Sequence, residues 1–373
     1  MKKALLQLTA VAVLLISTLS AKAQEQVAAN TTPPPTSTSE TRAVAEEESK
    51  LPFDISGFVD VYYQYSFIES PAPTSFTNTH NAFTLGMANL AFSKEMGKVG
   101  FMIDLGVGPR AEVANGFTGT TLSAIKQLFI TYAPAEWLKL TAGNFATHVG
   151  YELIDAPLNV NYSMSYMFSY GPFYHTGVKA NLTFSESFGA MIGIFNDTDS
   201  KVDFTDGKHI GAQLSFTKGD FTAYLNYLGG KNVEADSIFP SITGHQVDLT
   251  TAYQLTEKFG LGLNTTLRSN DPSEGDGTSW FGAALYAKYA FSNAFTFGFR
   301  GEYLGDDDGL ILGTTDNSVL ALTFSGNLKA GPVTFIPEFR IDLANKEVFT
   351  DVSNGGKLTK TTPALLLAAV YDF

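Results

Sequence analysis

The chain has 373 residues, with 24 Lys and Arg against 37 Asp and Glu, which gives a formal net charge of −13 at pH 7. This acidic balance argues against a nucleic-acid partner, because binding to phosphates needs a basic face. The absence of Cys excludes a disulfide scaffold and thiol chemistry, and 30 Phe with 16 Tyr is an unusual aromatic content for a soluble domain.

Two N-terminal segments precede the part that is expected to fold. A basic start, an apolar run over residues 4–19 and the Ala21-Lys22-Ala23 site predict a cleaved secretory signal peptide over residues 1–23. An uncleaved anchor is the alternative, although the run is shorter than the ~20 apolar residues of a spanning helix. Residues 24–52 are rich in Pro, Thr and Glu, and they predict a disordered periplasmic lead-in. A tail that contacts peptidoglycan or a partner is the other reading of this segment.

Residues 53–373 show strand-like alternation interrupted by gaps of two lengths. In the first strand Val59 and Val61 lie on one side, while Asp60 and Tyr62 lie on the other. Short turns centre near residues 96, 135, 186, 219, 257, 293 and 331, and long polar gaps separate the other strand ends. This predicts an all-β fold: a transmembrane antiparallel β-barrel of about 16 strands, with short periplasmic turns and long extracellular loops.

The last strand, Pro363–Phe373, carries apolar residues at alternate positions and ends on an aromatic. This pattern resembles the C-terminal signature of bacterial outer-membrane β-barrels, which implies recognition by the barrel-assembly machinery. The strand is predicted to pair with the first one, because an open sheet edge in lipid leaves backbone groups unsatisfied. Periodicity alone also allows a soluble β-sandwich or propeller. The terminal Phe373, the signal peptide and the two classes of gap favour the membrane barrel.

Three segments carry a resemblance to a known family: Gly57-Phe58-Val59-Asp60-Val61-Tyr62-Tyr63, Gly143–Glu152 and Gly171–Val178. In them the sequence resembles the OmpL-like β-barrel porins of Gram-negative bacteria. The resemblance is best over residues 55–196, and the second half matches mainly by pattern. It implies an outer-membrane pore.

The third long loop, over about residues 147–173, is the main candidate for a constriction. It is the longest gap in the chain and it is rich in aromatic residues, unlike the other loops. A loop this apolar needs burial, so we expect it to fold into the lumen, as the third loop does in the general porins that this strand count resembles. Capping of the barrel or packing on a neighbouring subunit is the alternative. The predicted constriction residues are Tyr151, Glu152, Asp155, Tyr162, Tyr166 and Tyr170.

Charged residues on the polar faces of the strands are the second group of candidates. A charge that faces lipid near the midplane costs ~2–4 kcal/mol for Arg or Lys, so alternation places these side chains inward. Rows of both signs across a pore sort solutes by charge, although mutual pairing that keeps the lumen folded explains each single residue equally well. The predicted pore-lining residues are Asp60, Asp104, His175, Lys179, Arg268, Arg300, Glu302, Glu338, Arg340 and Asp342.

No feature of the sequence favours catalysis or a cofactor. The five His show no H-E-x-x-H motif, no phosphate loop is present, and the acidic loop tips lack EF-hand spacing. A Ser-His or Asp-His site built between loops is left open, since such sites depend on geometry. We therefore expect no enzyme, no cofactor and no metal.

The predicted function is an outer-membrane porin that forms a water-filled channel for passive diffusion of small hydrophilic solutes or ions. The alternative is a surface barrel that binds a host or cell-envelope partner through its long loops. Expected partners are outer-membrane lipid, lipopolysaccharide and the solutes, and general porins of this size suggest a homotrimer. The negative net charge predicts a weak preference for cations.

Overall fold

A computed structural model describes residues 53–116, 120–203, 205–232 and 241–373. The predicted signal peptide, residues 1–23, and the predicted lead-in, residues 24–52, lie outside the described residues. The remaining chain is dominated by β-strands, with short helical segments confined to loops.

Sixteen strands form one closed antiparallel barrel, in which each strand pairs with its neighbours in the chain and the last strand pairs with the first. The prediction of a sixteen-stranded antiparallel barrel is therefore confirmed. The barrel strands are β1 (Asp54–Ser66), β2 (Ala82–Met96), β3 (Val99–Val107), β4 (Ile125–Ala135), β5 (Leu138–Ala146), β6 (Tyr174–Thr183), β7 (Phe188–Phe195), β8 (His209–Lys218), β9 (Phe221–Asn232), β10 (Ile242–Gln254), β11 (Phe259–Pro272), β12 (Thr278–Ser292), β13 (Phe295–Asp306), β14 (Asn317–Ala330), β15 (Val333–Ala344) and β18 (Thr361–Asp372).

Barrel closure depends on the pairing of β1 with β18. Asp60 lies opposite Val370, and the register runs on to Ser66 opposite Ala364. At the turn side, the Gly57 N–H donates to the Phe373 carbonyl and the Phe373 N–H donates to the Gly57 carbonyl, each at 3.0 Å. The terminal residue thus completes the ladder, and no barrel strand is left with an unpaired edge.

The strands alternate between a lipid face and a lumen face. On β1, Val59 and Val61 are 47% and 41% exposed, whereas Asp60 between them is 1% exposed. On β7, Ile192 and Ile194 are each 56% exposed, whereas Met191 and Phe195 are buried. Exposed apolar residues at alternate strand positions are the pattern of a barrel with lipid outside.

Long loops connect the strands at one end and short turns connect them at the other, as predicted. We number the loops used below L1 (residues 67–81), L2 (108–124), L3 (147–173), L4 (196–208) and L8 (345–360). L2 contains helix α1 (Pro109–Asn115) and L3 contains helix α2 (Tyr166–Ser169). Among the helices of the described ranges, none is long and apolar enough to cross a membrane.

L8 contains a feature that the sequence did not predict, a hairpin of β16 (Phe349–Asp351) and β17 (Lys357–Thr359) outside the barrel sheet. Its strands have only three residues each, too few for the alternation of apolar and polar residues to indicate a strand.

The strands differ in length around the ring. β3 to β8 have 8 to 11 residues each, whereas β10 to β15 have 12 to 15. The wall of the barrel is therefore lower along the arc that carries L2, L3 and L4.

Side chains from the loops fill much of the lumen. On β18 the inward residues Leu366, Ala368 and Val370 form a buried cluster that includes Ala156 and Tyr162 of L3. This cluster explains why β18 is apolar on both faces: one face meets lipid and the other meets a loop.

Candidate functional site

L3 leaves the wall at the end of β5 and crosses the lumen. Near its start, His148 Nε2 lies 2.9 Å from the Tyr227 carbonyl of β9, and the Gly150 N–H donates to Asp248 of β10 at 3.1 Å. Its middle contacts β13, β14 and β15 on the far side, where Asn161 donates to Ser325 Oγ at 2.7 Å. The predicted constriction loop therefore lies inside the barrel.

Two inward carboxylates hold the backbone of L3. The Tyr162 and Ser163 N–H groups donate to separate oxygens of Glu338, at 2.7 and 3.1 Å. The Tyr166 and Met167 N–H groups donate to separate oxygens of Glu302, at 2.9 and 2.8 Å. Hydrogen bonds to an ionised acceptor are shorter and stronger than neutral ones, so these two carboxylates fix the conformation of the loop.

Two inward arginines bind carbonyl groups of the same loop. Arg300 pairs with Glu152 of L3 and donates to the Ser163 carbonyl at 2.6 Å. Arg340 donates to the Met164 carbonyl at 2.7 Å and pairs with Asp342 at 2.8 Å. All four charged side chains are buried. They are paired and hydrogen-bonded, as buried charges must be to offset the loss of water.

Asp60 of β1 lies where three loops meet. It accepts hydrogen bonds from the Tyr162 hydroxyl and from Arg110 of α1, the latter at 3.4 Å. The Arg110 guanidinium lies between the rings of Phe76 of L1 and Tyr162, 4.7 and 4.8 Å from their centroids. L1, L2 and L3 therefore share one buried cluster above Asp60.

Asp104 and Asp155 share a single cation. Lys126 Nζ lies 2.9 Å from Asp104 and 2.6 Å from Asp155 of L3. This pair of contacts attaches the centre of L3 to the β3–β4 wall. Sequence analysis did not single out Lys126, because its strand is mostly apolar and irregular in register.

The remaining predicted residues lie apart from these anchors. His175 Nε2 lies 3.0 Å from Thr147 Oγ1. Lys179 Nζ lies 4.3 Å from the centroid of the Phe145 ring. Tyr170 donates to the Pro73 carbonyl at 3.2 Å, and Arg268 donates to Asn270 at 3.2 Å.

Three inward glycines on adjacent strands receive side chains of L3. An added Cβ at Gly262 would lie 2.4 Å from the Tyr151 hydroxyl, at Gly282 it would lie 2.3 Å from Met167 Cγ, and at Gly298 it would lie 2.6 Å from Val160 Cγ2. L3 thus packs directly on the backbone of β11, β12 and β13. The Tyr151 ring also stacks on Tyr286, with centroids 4.2 Å apart.

The end of L3 is fastened to L4. The Asp199 carboxylate accepts the N–H groups of Phe173 and Tyr174 at 2.8 and 2.9 Å. Burial raises the pKa of the Asp199 carboxyl to about 6, against these hydrogen bonds, which lower it. The junction therefore contains a carboxyl group that titrates above the usual range of Asp.

A water-accessible chamber of about 1010 Å³ lies between L3 and the turn side. Tyr151 and Glu152 are the only predicted site residues among its lining residues. The other predicted charges point inward, but loops cover most of them; Asp60, Arg300 and Glu302, for example, are at most 1% exposed. Their direction follows from alternation, whereas their roles in conduction stay predictions.

Another contact that was not predicted from the sequence comes from L2. Arg110 follows Pro109 at the start of a helix, and α1 buries Ala111 and Ala114. An apolar helix face in an otherwise polar loop was a usable signal of docking. No signal in the sequence identified which wall would receive L3.

Comparison with known structures gives barrels of similar architecture. The anion-selective porin from Comamonas acidovorans is 10% identical, with a TM-score of 0.59 over 86% of this chain and 99% of that one. The outer membrane channel DcaP of Acinetobacter baumannii is 14% identical, with a TM-score of 0.59 over 86% and 97%. OmpT of Vibrio cholerae is 11% identical, with a TM-score of 0.56 over 86% and 97%. At these identities the likeness shows the fold.

The sequence itself identifies the family. No curated protein sequence matches the chain significantly. The family described as "Putative beta-barrel porin-2, OmpL-like" matches residues 52–373, a range that contains every strand of the barrel. The resemblance seen in three segments of the first half thus extends over the whole barrel, and the chain belongs to this OmpL-like family of β-barrel porins.

Proposed function

We propose that the protein is an outer-membrane porin in which L3 sets the diffusion path for small hydrophilic solutes. One observation carries this proposal: Glu302 and Glu338 hold L3 across the lumen directly above a chamber of about 1010 Å³. A sixteen-stranded barrel alone would leave a wide aqueous channel. With the loop in place, solutes pass only where L3 and the wall leave room.

The charges of the chamber argue for weak selectivity. Its lining contains lysines and carboxylates in nearly equal number, so no strong field of one sign acts on a passing ion. The preference for cations expected from the net charge of −13 should accordingly be small. These charged residues are Lys258, Lys288, Lys329, Glu152, Asp220, Glu257 and Asp372.

Single-channel conductance in a planar bilayer, with a salt gradient across it, tests the proposal. We expect discrete conductance steps, and larger steps from a variant that lacks Glu152–Tyr170. A variant that lacks Val352–Gly356, the tip of the L8 hairpin, is the matched control and should conduct as the wild type does. No steps from folded protein, with or without L3, would contradict the porin function and favour a surface barrel that binds a partner through its loops.

Export and assembly are part of the same proposal. The sequence supports cleavage after Ala23, insertion through the strand that ends at Phe373, and contact of the lipid face with lipopolysaccharide. The Vibrio cholerae OmpT structure described as a trimer form supports a homotrimer. Mass spectrometry of the purified protein should find Gln24 at the N-terminus, and native mass spectrometry should find three copies.

A further inference from the structure

The ceiling of the chamber is apolar and exposed. Leu158, at the end of the 3₁₀ turn Ala156–Leu158 of L3, is 53% exposed although it lies inside the barrel. Pro157 and Val160 line the chamber beside it. Lipid cannot reach these side chains, so they expose apolar surface to water in the lumen, and such surface marks a place where a ligand can bind.

Lysines line the wall next to this ceiling. Lys288 of β12 lies opposite Gly298 of β13, and Val160 packs on Gly298. Lys329 is two residues after Asn327, whose side chain donates to the Val160 carbonyl at 2.9 Å. Because cross-strand neighbours lie ~5 Å apart and alternate residues of a strand ~7 Å apart, the Cα atoms of both lysines lie within about 10 Å of the apolar ceiling. The Lys288 side chain extends over Gly260 of β11, along the wall of the chamber.

The acidic residues that line the chamber lie on other elements than Lys288 and Lys329. Asp220 on β9 and Asp372 on β18 lie at the two flanks, and Glu257 lies in the turn before β11. Glu152 is already paired with Arg300. From β12 to β14, the charged side chains that line the chamber are lysines.

We propose that this chamber binds small amphipathic organic anions, with the apolar group against Leu158 and Val160 and the carboxylate near Lys288 and Lys329. The volume of about 1010 Å³ is at the upper end of the range for small-molecule pockets, roughly 300–1,000 Å³, and it leaves room for water around the anion. The site opens on the turn side. Binding from that side does not require the pore to conduct.

Isothermal titration calorimetry of the full protein in lipid nanodiscs tests the proposal, with empty nanodiscs as the blank. The probe is 4-phenylbutyrate, which carries one apolar group and one carboxylate. Butyrate lacks the ring and 4-phenylbutanol lacks the charge. We expect saturable binding of 4-phenylbutyrate at least tenfold tighter than that of either matched probe. Heat equal to that of empty nanodiscs, or equal affinity for 4-phenylbutanol, would overturn the proposal.

Two variants locate the site, and both change residues that line the chamber. Leu158→Ser and Lys329→Gln should each weaken binding at least fivefold. Lys139→Gln is the matched control, because Lys139 lies on β5, seven strands from β12 around the ring of sixteen, and pairs with Glu95. Two results would place the anion elsewhere. One is that Lys139→Gln weakens binding as much as Lys329→Gln does. The other is that Leu158→Ser leaves binding unchanged. Conductance of the same proteins separately reports the porin function.

Discussion

The bidentate contact between Glu338 and L3 gives the sharpest test of how the loop is held. In Glu338→Gln the side chain keeps its shape, but only one oxygen remains to accept the N–H groups of Tyr162 and Ser163. The amide NH₂ then faces one of these donors, so one hydrogen bond to a charged acceptor is lost. Such a bond contributes about 1.5–3 kcal/mol. The equilibrium between docked and undocked L3 should therefore shift by a factor of roughly 10 to 150 toward undocking.

Single-channel recordings would detect this shift as more frequent excursions to a larger conductance level. Glu136→Gln is a suitable control, because Glu136 is exposed in a turn at the other end of the barrel. It removes the same charge and should leave the recordings unchanged. A folded Glu338→Gln protein with wild-type conductance and wild-type fluctuations would refute the idea that this carboxylate anchors the constriction.

Three further predictions concern the packing, the titration and the closure of the barrel. Gly262→Ala places a Cβ where the Tyr151 ring lies, at an overpacking cost of about 1–3 kcal/mol, so it should increase the conductance fluctuations. Adding Tyr151→Ala to this variant should reverse the increase, whereas additive effects of the two substitutions would argue against the contact. The folded pKa of Asp199 is about 6, above the ordinary 3.8, so the stability linked to its protonation is complete below about pH 4 and is lost as pH rises through 6. The midpoint temperature at which heat changes the gel mobility should therefore fall with rising pH in the wild type but not in Asp199→Asn. Identical pH profiles for the two proteins would disprove this linkage. Deleting Phe373 removes both hydrogen bonds to Gly57 and should lower the same midpoint, whereas an unchanged midpoint would show that β18 closes the barrel without its last residue.

The sequence predicted those features of the barrel that depend on local pattern. Alternation along each strand separated Asp60 from Val59 and Val61, and the two classes of gap gave the strand count. The aromatic content of residues 147–173 indicated a loop that needs burial. Each of these inferences uses neighbours within about ten residues, where strand geometry is fixed by the backbone.

The contacts across the lumen could not be predicted in the same way. Glu338 meets residues 162 and 163 only because closure of the sheet brings β15 opposite the tip of L3, about 175 residues away in sequence. From the sequence alone, Gly298 is only a residue that weakens a strand. In the structure it leaves the space into which Val160 of L3 packs. Four of the charges predicted to line the pore, Arg300, Glu302, Glu338 and Arg340, hydrogen-bond backbone groups of L3. Their part in lining the pore stays a prediction.

The barrel wall is higher along one arc than along the other, so the molecule is asymmetric within the plane of the membrane. Strands β3 to β8 have 8 to 11 residues, close to the ~9–11 with which a tilted strand crosses a bilayer, whereas β10 to β15 have 12 to 15 and extend beyond that length. A solute that approaches from the loop side therefore meets a lower rim along the arc that carries L2, L3 and L4.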